Sequence, residues 1–559
     1  MSKAKRLLAL LLVAIMAMSS AAGCTSDNKQ PNKEEQPDVP KKLTPEEHYG
    51  VADWASQENV IDDNYRNYYH LFVYSFADSD GDGVGDLKGI TNKLDYIADL
   101  GYNGIWLSPI HQSTTYHKYD VVDYYSIDEE YGTMADFEKF IEECDKRGIK
   151  VILDLVFNHT STKHEWFKEA IKYFRSLEPG QKADVTVCPY IEYYNFEKTA
   201  DLATTNKYYN ISSSEYSYEG QFWDQMPDLN LGNPAVRKEI EDIAKFWIDK
   251  GVGGFRLDAA KEFYTGEADK NVEVLKWFTD YIKSVDEDLY LVAEVWDSFS
   301  IIEYYYKSGI TSIFDYAYGD VSGNLIKNLN LGGDGSAGRR LANNFVKTQD
   351  AYLKANPNMI NAPFCSNHDC GRIAGYVQRK EEKVKMAAAL NLFMSGSSFT
   401  YYGEEIGMVG AGKDENKRAP MNWSEYAGAA GMCNGPAGMD EVVQKFDTVD
   451  KQKKDIYSIY WYYRNALHIK NVYPEIARGL VSVMEKVEDG NVCAISKTYN
   501  GETIYLFFNL NKEATTVTVS KDDYAYKTGL VASLEVDENK VTMEGETVTL
   551  PAYGVAVIK

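Results

Sequence analysis

The sequence predicts an α/β protein: a (β/α)8 TIM barrel with a domain inserted after its third strand and an antiparallel β-sandwich domain at its C-terminal end. Three observations predict it. Eight short β-rich runs alternate with amphipathic stretches through the middle of the chain. Four of those runs end in segments rich in carboxylates and histidines, and a parallel barrel gathers the C-terminal ends of its strands on one face. The last part of the chain changes to short alternating strands separated by turn residues.

The N-terminus reads as an export leader. Lys3, Lys5 and Arg6 precede an apolar run over 7–18, which is too short to span a bilayer and suits a signal-peptide core. The segment Ala21-Ala22-Gly23-Cys24 resembles a bacterial lipobox, with Ala21 where Leu is commoner. It implies cleavage after residue 23, acylation of Cys24, and an exported protein anchored in the cell membrane and facing outward. Residues 24–50 are mostly polar and charged, with few apolar side chains to bury, and read as a flexible tether, which suits a monomer at the cell surface.

The barrel is expected over 51–159 and 226–472, long enough with its neighbours for a large core. Its strands are read at 69–76, 104–110, 151–158, 253–259, 289–295, 312–318, 362–369 and 397–405. Between them, 134–147, 235–250 and 382–394 place apolar residues at three- and four-residue spacing, the period of an amphipathic helix. Residues 160–225 are polar and rich in Tyr, without strand–helix alternation. They are too long for a plain loop and read as the inserted domain. Residues 473–559 form the C-terminal β-domain, with strands at 492–497, 503–509, 515–519, 541–543, 547–550 and 552–558.

Composition excludes some partners. A net charge of -25 repels phosphate backbones, so nucleic acid is not a partner. The 43 tyrosines offer flat faces that suit sugar rings as well as packing. No pair of cysteines has a metal-type spacing, and Cys365 and Cys370, which flank an acidic segment, are expected to be free.

The four acidic segments bring together the groups that glycosidic cleavage needs. They are Asp154 to His159, Gly254 to Lys261, Glu294-Val295-Trp296, and Asn367-His368-Asp369. One carboxylic acid must protonate the leaving oxygen while a second carboxylate attacks or stabilises the anomeric carbon. Asp258 and Glu294 would stand at the tops of adjacent strands. Arg256, two residues before Asp258, points to the same side and favours its ionised form. Val295 and Trp296 give Glu294 apolar surroundings, which suit an acid. Asp369 can hold sugar hydroxyls, and His159 and His368 can donate to them. A separate run, Asp78-Ser79-Asp80-Gly81-Asp82-Gly83-Val84-Gly85-Asp86, alternates oxygen donors with glycines as a calcium loop does. It departs from an EF-hand at the twelfth position, which is Gly89 rather than Glu.

Together these segments resemble the signature regions of glycoside hydrolase family 13, the α-amylase family. Met226-Pro227-Asp228-Leu229-Asn230 resembles that family's fifth region, and the ending Leu550-Pro551-Ala552-Tyr553-Gly554 its final strands. The resemblance covers about residues 60–559. It implies a retaining enzyme with Asp258 as nucleophile, Glu294 as acid/base and Asp369 as transition-state stabiliser. It also implies that Tyr119, His117 and Asp120 of Tyr116-His117-Lys118-Tyr119-Asp120 contact the sugar at the cleaved bond, Tyr119 by stacking. Arg418 of Arg418-Ala419-Pro420-Met421-Asn422-Trp423 would reach that sugar or pair with the Asp, and Lys261 would meet the sugar on the leaving-group side. Asp154 would hold Arg256 or the strand top. The loop of Asp78, Asp80, Asp82 and Asp86, with the Val84 carbonyl, would bind a structural Ca²⁺. One departure is Lys261-Glu262, where many relatives have Lys-His with the His helping to bind a second calcium; that site, with Asn158 as its ligand, is left open.

The fifth region resembles neopullulanase-like and intermediate members, while the metal loop and the pair Asp120 and Arg418 resemble oligo-1,6-glucosidases. The implied activity is cleavage of α-1,4 bonds in starch or maltooligosaccharides, with tolerance of α-1,6 branches or pullulan. The alternatives are an exo-acting α-glucosidase or oligo-1,6-glucosidase, and a 4-α-glucanotransferase. A glucan-binding lipoprotein without activity is the remote one, because all three carboxylates are present.

Overall fold

The computed structural model describes residues 63–559. The expected leader, Cys24 and the tether lie outside the described residues. The central sheet is parallel, with seven strands in the order Ser312–Ile313, Tyr290–Ala293, Gly254–Leu257, Lys150–Leu155, Gly104–Leu107, Asn67–Leu71 and Ser398–Tyr401. Single parallel bridges from Ala362 to Phe314 and from Phe364 to Phe399 close it between its two edges. The fold is therefore an eight-position barrel whose seventh member is reduced to two bridges. Pro363 lies between them and has no N–H to donate, although its carbonyl accepts from Phe399 at 2.8 Å.

Six of the seven strands are buried throughout, and only Lys150 at the start of the third is exposed, as parallel strands covered on both faces must be. Gly254 opens the fourth strand at φ +152, and a Cβ there would meet the Tyr290 carbonyl oxygen at 2.0 Å, so no other residue fits without moving the neighbouring strand.

The helices begin where local chemistry starts them. Met134–Asp145 opens on a reciprocal cap between Thr133 and Asp136, and Pro234–Asp249 on Asn233 with Pro in its first turn. Glu381–Leu392 differs from the amphipathic expectation: every residue from Lys383 to Leu392 is buried, because the helix packs against Ile459–Val472 on one side and the barrel on the other.

Between the third and fourth barrel strands lie a helix, Glu165–Ser176, and a small antiparallel sheet of Phe196–Lys198, Tyr216–Glu219 and Tyr208–Asn210. At the C-terminal end, five strands run in the order Leu480–Val483, Val492–Tyr499, Glu502–Asn509, Val555–Ile558 and Leu530–Leu534; three more run Thr515–Thr518, Thr547–Leu550 and Thr542–Glu544. Phe507, Ala556 and Ile558 of the first sheet share one buried cluster with Val517, Val548 and Leu550 of the second, the arrangement of a sandwich. The six described cysteines are free and buried.

Candidate active site

Strand register builds the centre of the site. The third strand places Asp154 opposite Arg256, and the fifth places Ala293 opposite Leu257. The next residues along these neighbours, Glu294 and Asp258, therefore emerge side by side. The Arg256 guanidinium lies between three carboxylates. Its Nη1 is 2.7 Å from Asp154 Oδ1 and 2.6 Å from Asp258 Oδ1, and its Nη2 is 2.8 Å from Glu294 Oε2. Ala259, at φ +47, turns its N–H to donate to the same Glu294 oxygen at 3.0 Å. The other oxygen, Oε1, has only a long contact of 3.4 Å with the Tyr316 hydroxyl.

Asp369 and His368 approach from the seventh barrel position. Asp369 Oδ1 accepts from Arg418 Nη2 at 2.8 Å, and Oδ2 lies 3.1 Å from His368 Nε2. Arg418 uses its other donors on the Tyr116 hydroxyl and the His368 carbonyl. Tyr119 joins both halves: its hydroxyl lies 2.9 Å from Asp154 Oδ2 and 2.6 Å from His368 Nε2, and its ring stacks on His368 at 5.3 Å. His117 accepts the Tyr119 N–H on Nδ1 at 3.1 Å. Buried His159 has Nε2 3.2 Å from the Tyr119 carbonyl. Lys261 pairs with Asp297 at 2.9 Å, at the outer edge of the Glu294 segment.

Asp120 follows Tyr119 directly in the same loop. It is fully buried; its carboxylate accepts from the Ser113 and Thr115 hydroxyls, each at 2.5 Å, from the Thr114 hydroxyl and from Ser161 at 3.3 Å. These bonds tie the carboxylate to the turn at residues 113–115.

Burial sets the electrostatics. It pushes Asp258 above the usual carboxylate range, with the Arg256 charge and hydrogen bond pulling back. It pushes Glu294 up as well; Arg256 pulls it down while the charges of Asp258 and Asp369 push it further up. Asp154 is raised by burial to about 7. At Asp369 burial opposes the charge, but His368 and Arg418 outweigh it and hold the carboxyl well below the usual range. Burial lowers His117 and His159 to about 4, and lowers His368, so all three rings are neutral near pH 7.

The acidic loop after the first strand gathers oxygens from Asp78, Asp80 and Asp86 within 4.8 Å of one another. Backbone amides hold these carboxylates: Gly81 and Gly83 donate to Asp78, and Ser79 and Gly89 to Asp86. The Asp82 carboxylate instead accepts from the Val84 N–H at 2.7 Å and stands outside that group. Among the described residues no other set of three His, Cys, Asp or Glu side chains converges so closely. Asn158 has its amide 3.4 Å from Asp228, a buried carboxyl raised by burial to about 8.

The model of the α-amylase catalytic domain matches residues 70–479, from within the first barrel strand to beyond the last. The chain belongs to the α-amylase family. It is similar to α-amylase 3 of Dictyoglomus thermophilum, 36% identical over 86% of this chain and 92% of that protein. An oligo-1,6-glucosidase of Parageobacillus thermoglucosidasius is 29% identical over 84% of this chain and 94% of its own. Among solved structures, Amy13B of Eubacterium rectale superposes with a TM-score of 0.86 at 45% identity, covering 90% of this chain and 96% of that one. The protein is an α-amylase-type glycoside hydrolase, and the acids met in the sequence are the ones its barrel gathers.

Two members of the site were not singled out from sequence. Trp106 donates its Nε1–H to Asp154 Oδ2 at 3.3 Å, from the second strand. Tyr316, just after the sixth strand, links the Asn367 amide at 3.3 Å to Glu294 and stacks beneath Trp296 at 5.3 Å. Each is a polar-tipped aromatic in or just after an apolar run, a signal indistinguishable from core packing until the barrel closes.

Proposed function

We propose that this enzyme hydrolyses α-1,4-glucosidic bonds of starch or maltooligosaccharides with retention of configuration, tolerating α-1,6 branches or pullulan. The observation that carries this reading is one guanidinium bonded to both Asp258 and Glu294. Retention needs two carboxyls about 5–5.5 Å apart, close enough to act on one anomeric carbon. Asp258 has Oδ1 on Arg256, so Oδ2 attacks that carbon and forms the glycosyl–enzyme ester. Glu294 has Oε2 on Arg256 and the Ala259 amide, so Oε1 carries the proton that passes to the leaving glucosyl oxygen. Water enters, returns its proton to Glu294 and opens the ester, restoring Asp258. Asp369, ionised through His368 and Arg418, binds hydroxyls of the sugar being distorted. Tyr119 stacks on that sugar, His117 and the neutral His368 meet its hydroxyls, and Lys261 lies on the leaving-group side.

Asp78, Asp80 and Asp86, with Asp82 and the Val84 carbonyl closing around it, would hold a structural Ca²⁺; the ion would neutralise the clustered charge and take no part in the chemistry. The sequence before residue 51 supports export and membrane anchoring through Cys24. Cys24→Ser would then move the protein from the membrane fraction to the medium, and an unchanged distribution would end that part of the reading.

The test of the reaction is reducing-sugar release from soluble starch by wild type and by Asp258→Asn, with the anomer of the first product followed by NMR. A loss of about 10³-fold or more and an initial α-anomer are expected, and equal rates would remove the nucleophile. Products from maltoheptaose, panose, pullulan and amylopectin then separate endo from exo attack and hydrolysis from glucosyl transfer.

A further inference from the structure

Lys118 stands between His117 and Tyr119, yet its side chain turns away from both. Its backbone is left-handed at φ +63, a region that residues with a Cβ seldom occupy. The side chain is 3% exposed, with Nζ 3.0 Å from Asp128 Oδ1, bonded also to Glu130 Oε2, and 5.2 Å above the Tyr131 ring. A buried ammonium is stable only where it is paired and hydrogen-bonded, so these partners fix where its head can be.

The partners lead back to the same loop. Asp128 Oδ2 accepts the Ser113 N–H at 2.9 Å, and the Ser113 hydroxyl donates to Asp120 Oδ1. The Thr115 hydroxyl donates to Asp120 and lies 3.1 Å from His117 Nδ1, which accepts the Tyr119 N–H. Tyr131 donates to the Tyr116 carbonyl at 3.4 Å. The loop from residue 113 to 120 is thus tied to 128–131 from behind, and Lys118 is the cation in that tie.

We propose that Lys118 is a positioning residue: its buried pair with Asp128 holds the loop in the left-handed turn that presents the Tyr119 ring and the His117 imidazole to substrate. This rests on Tyr119 being a substrate contact. The strained backbone is stable only while the ion pair holds it. Without the pair the turn relaxes, and Tyr119 leaves the position where its hydroxyl meets Asp154 and His368.

A double-mutant cycle tests this. Lys118→Met should lower kcat/KM on maltoheptaose about tenfold, falling mainly on kcat, and Lys118→Arg should restore most of it. In a Tyr119→Ala background the same Lys118→Met should cost clearly less than tenfold, because the ring is gone and only the placement of His117 is left to lose. A full tenfold loss in that background, or wild-type kcat/KM in Lys118→Met, overturns the proposal. If Tyr119→Ala itself has wild-type kcat/KM, the assignment of Tyr119 fails instead. Asp128→Asn, which breaks the same pair from its other side and leaves the strained Lys118 backbone in place, keeps the test open should the Lys118→Met variant not fold. It should lower kcat/KM as Lys118→Met does, and an Asp128→Asn variant as active as wild type overturns the proposal.

Discussion

Arg256 serves three buried carboxylates with one charge, and this sharing decides the pH behaviour of the site. Alternation along one strand pointed to Arg256 as the partner of Asp258, and the family resemblance offered Asp154 as another, but neither pointed to Glu294. That Glu294 and Asp154 reach the same guanidinium depends on inter-strand register, which side-chain spacing within one segment does not contain. With burial raising both Asp258 and Glu294, the expected profile of kcat/KM is a bell. Its acid limb is the protonation of Asp258, lost as pH falls, and lies above the ordinary carboxylate value of about 4. Its alkaline limb is the loss of the Glu294 proton as pH rises. The histidines at about 4 are neutral across the plateau and set neither limb. Glu294→Gln should lower kcat by about 10²–10⁴-fold and abolish the alkaline limb. Rates on starch from pH 4 to 9 check both, and an alkaline limb that survives the substitution would assign it to another group.

At the scale of elements, the barrel strands were legible where an apolar run was long and uninterrupted. Elsewhere the runs mixed two structures. Residues 69–76 read as one strand, but the strand is Asn67–Leu71 and Val73–Phe76 turns into a short helix that leads to the acidic loop. Residues 397–405 likewise split into Ser398–Tyr401 and a 3₁₀ turn at Glu404–Ile406. In both, buried apolar residues continue past the strand end, so hydrophobicity cannot locate it. The acidic loop was legible from its alternation, although Asp82 stands apart from the converging carboxylates. These charges repel one another unless a cation lies among them. EDTA should therefore lower the melting temperature by several degrees, reversibly with added Ca²⁺. Asp80→Asn makes the sharper test, since Asp80 is exposed and accepts only the Asp82 amide, at 3.2 Å, so the turn survives its replacement. The EDTA effect should shrink in that variant, and calorimetric melts with and without chelator read it; identical melts in wild type would remove the ion.

Across the whole molecule, the order of parts was visible as changes of pattern, but the contacts between parts were not. The strands Leu480–Val483 and Leu530–Leu534 were missed: the first follows directly on a short helix, and the second is only half-buried at the sheet edge. Nor did any pattern announce that two lysines would be enclosed near the junction of barrel and C-terminal sheet. Lys497, from the second strand of that sheet, donates to the Phe393 and Ile476 carbonyls at 2.6 Å each, and burial holds it well below its usual pKa. Lys470, on the last barrel helix, donates to Ser398 Oγ at 3.0 Å, and burial lowers it to about 7. The unfolded chain binds a proton at Lys470 up to about pH 10.4, whereas the folded chain releases it near 7, so this group makes folding less favourable at lower pH. Its contribution therefore rises with pH from about 7 to about 10. Lys470→Met removes the proton and fits the buried site. The variant should exceed wild type in stability by a few kcal/mol near pH 6, and that advantage should fade towards pH 10. Urea unfolding of both proteins across this range measures the difference. A gap that does not change with pH would mean that Lys470 is already charged in the folded protein.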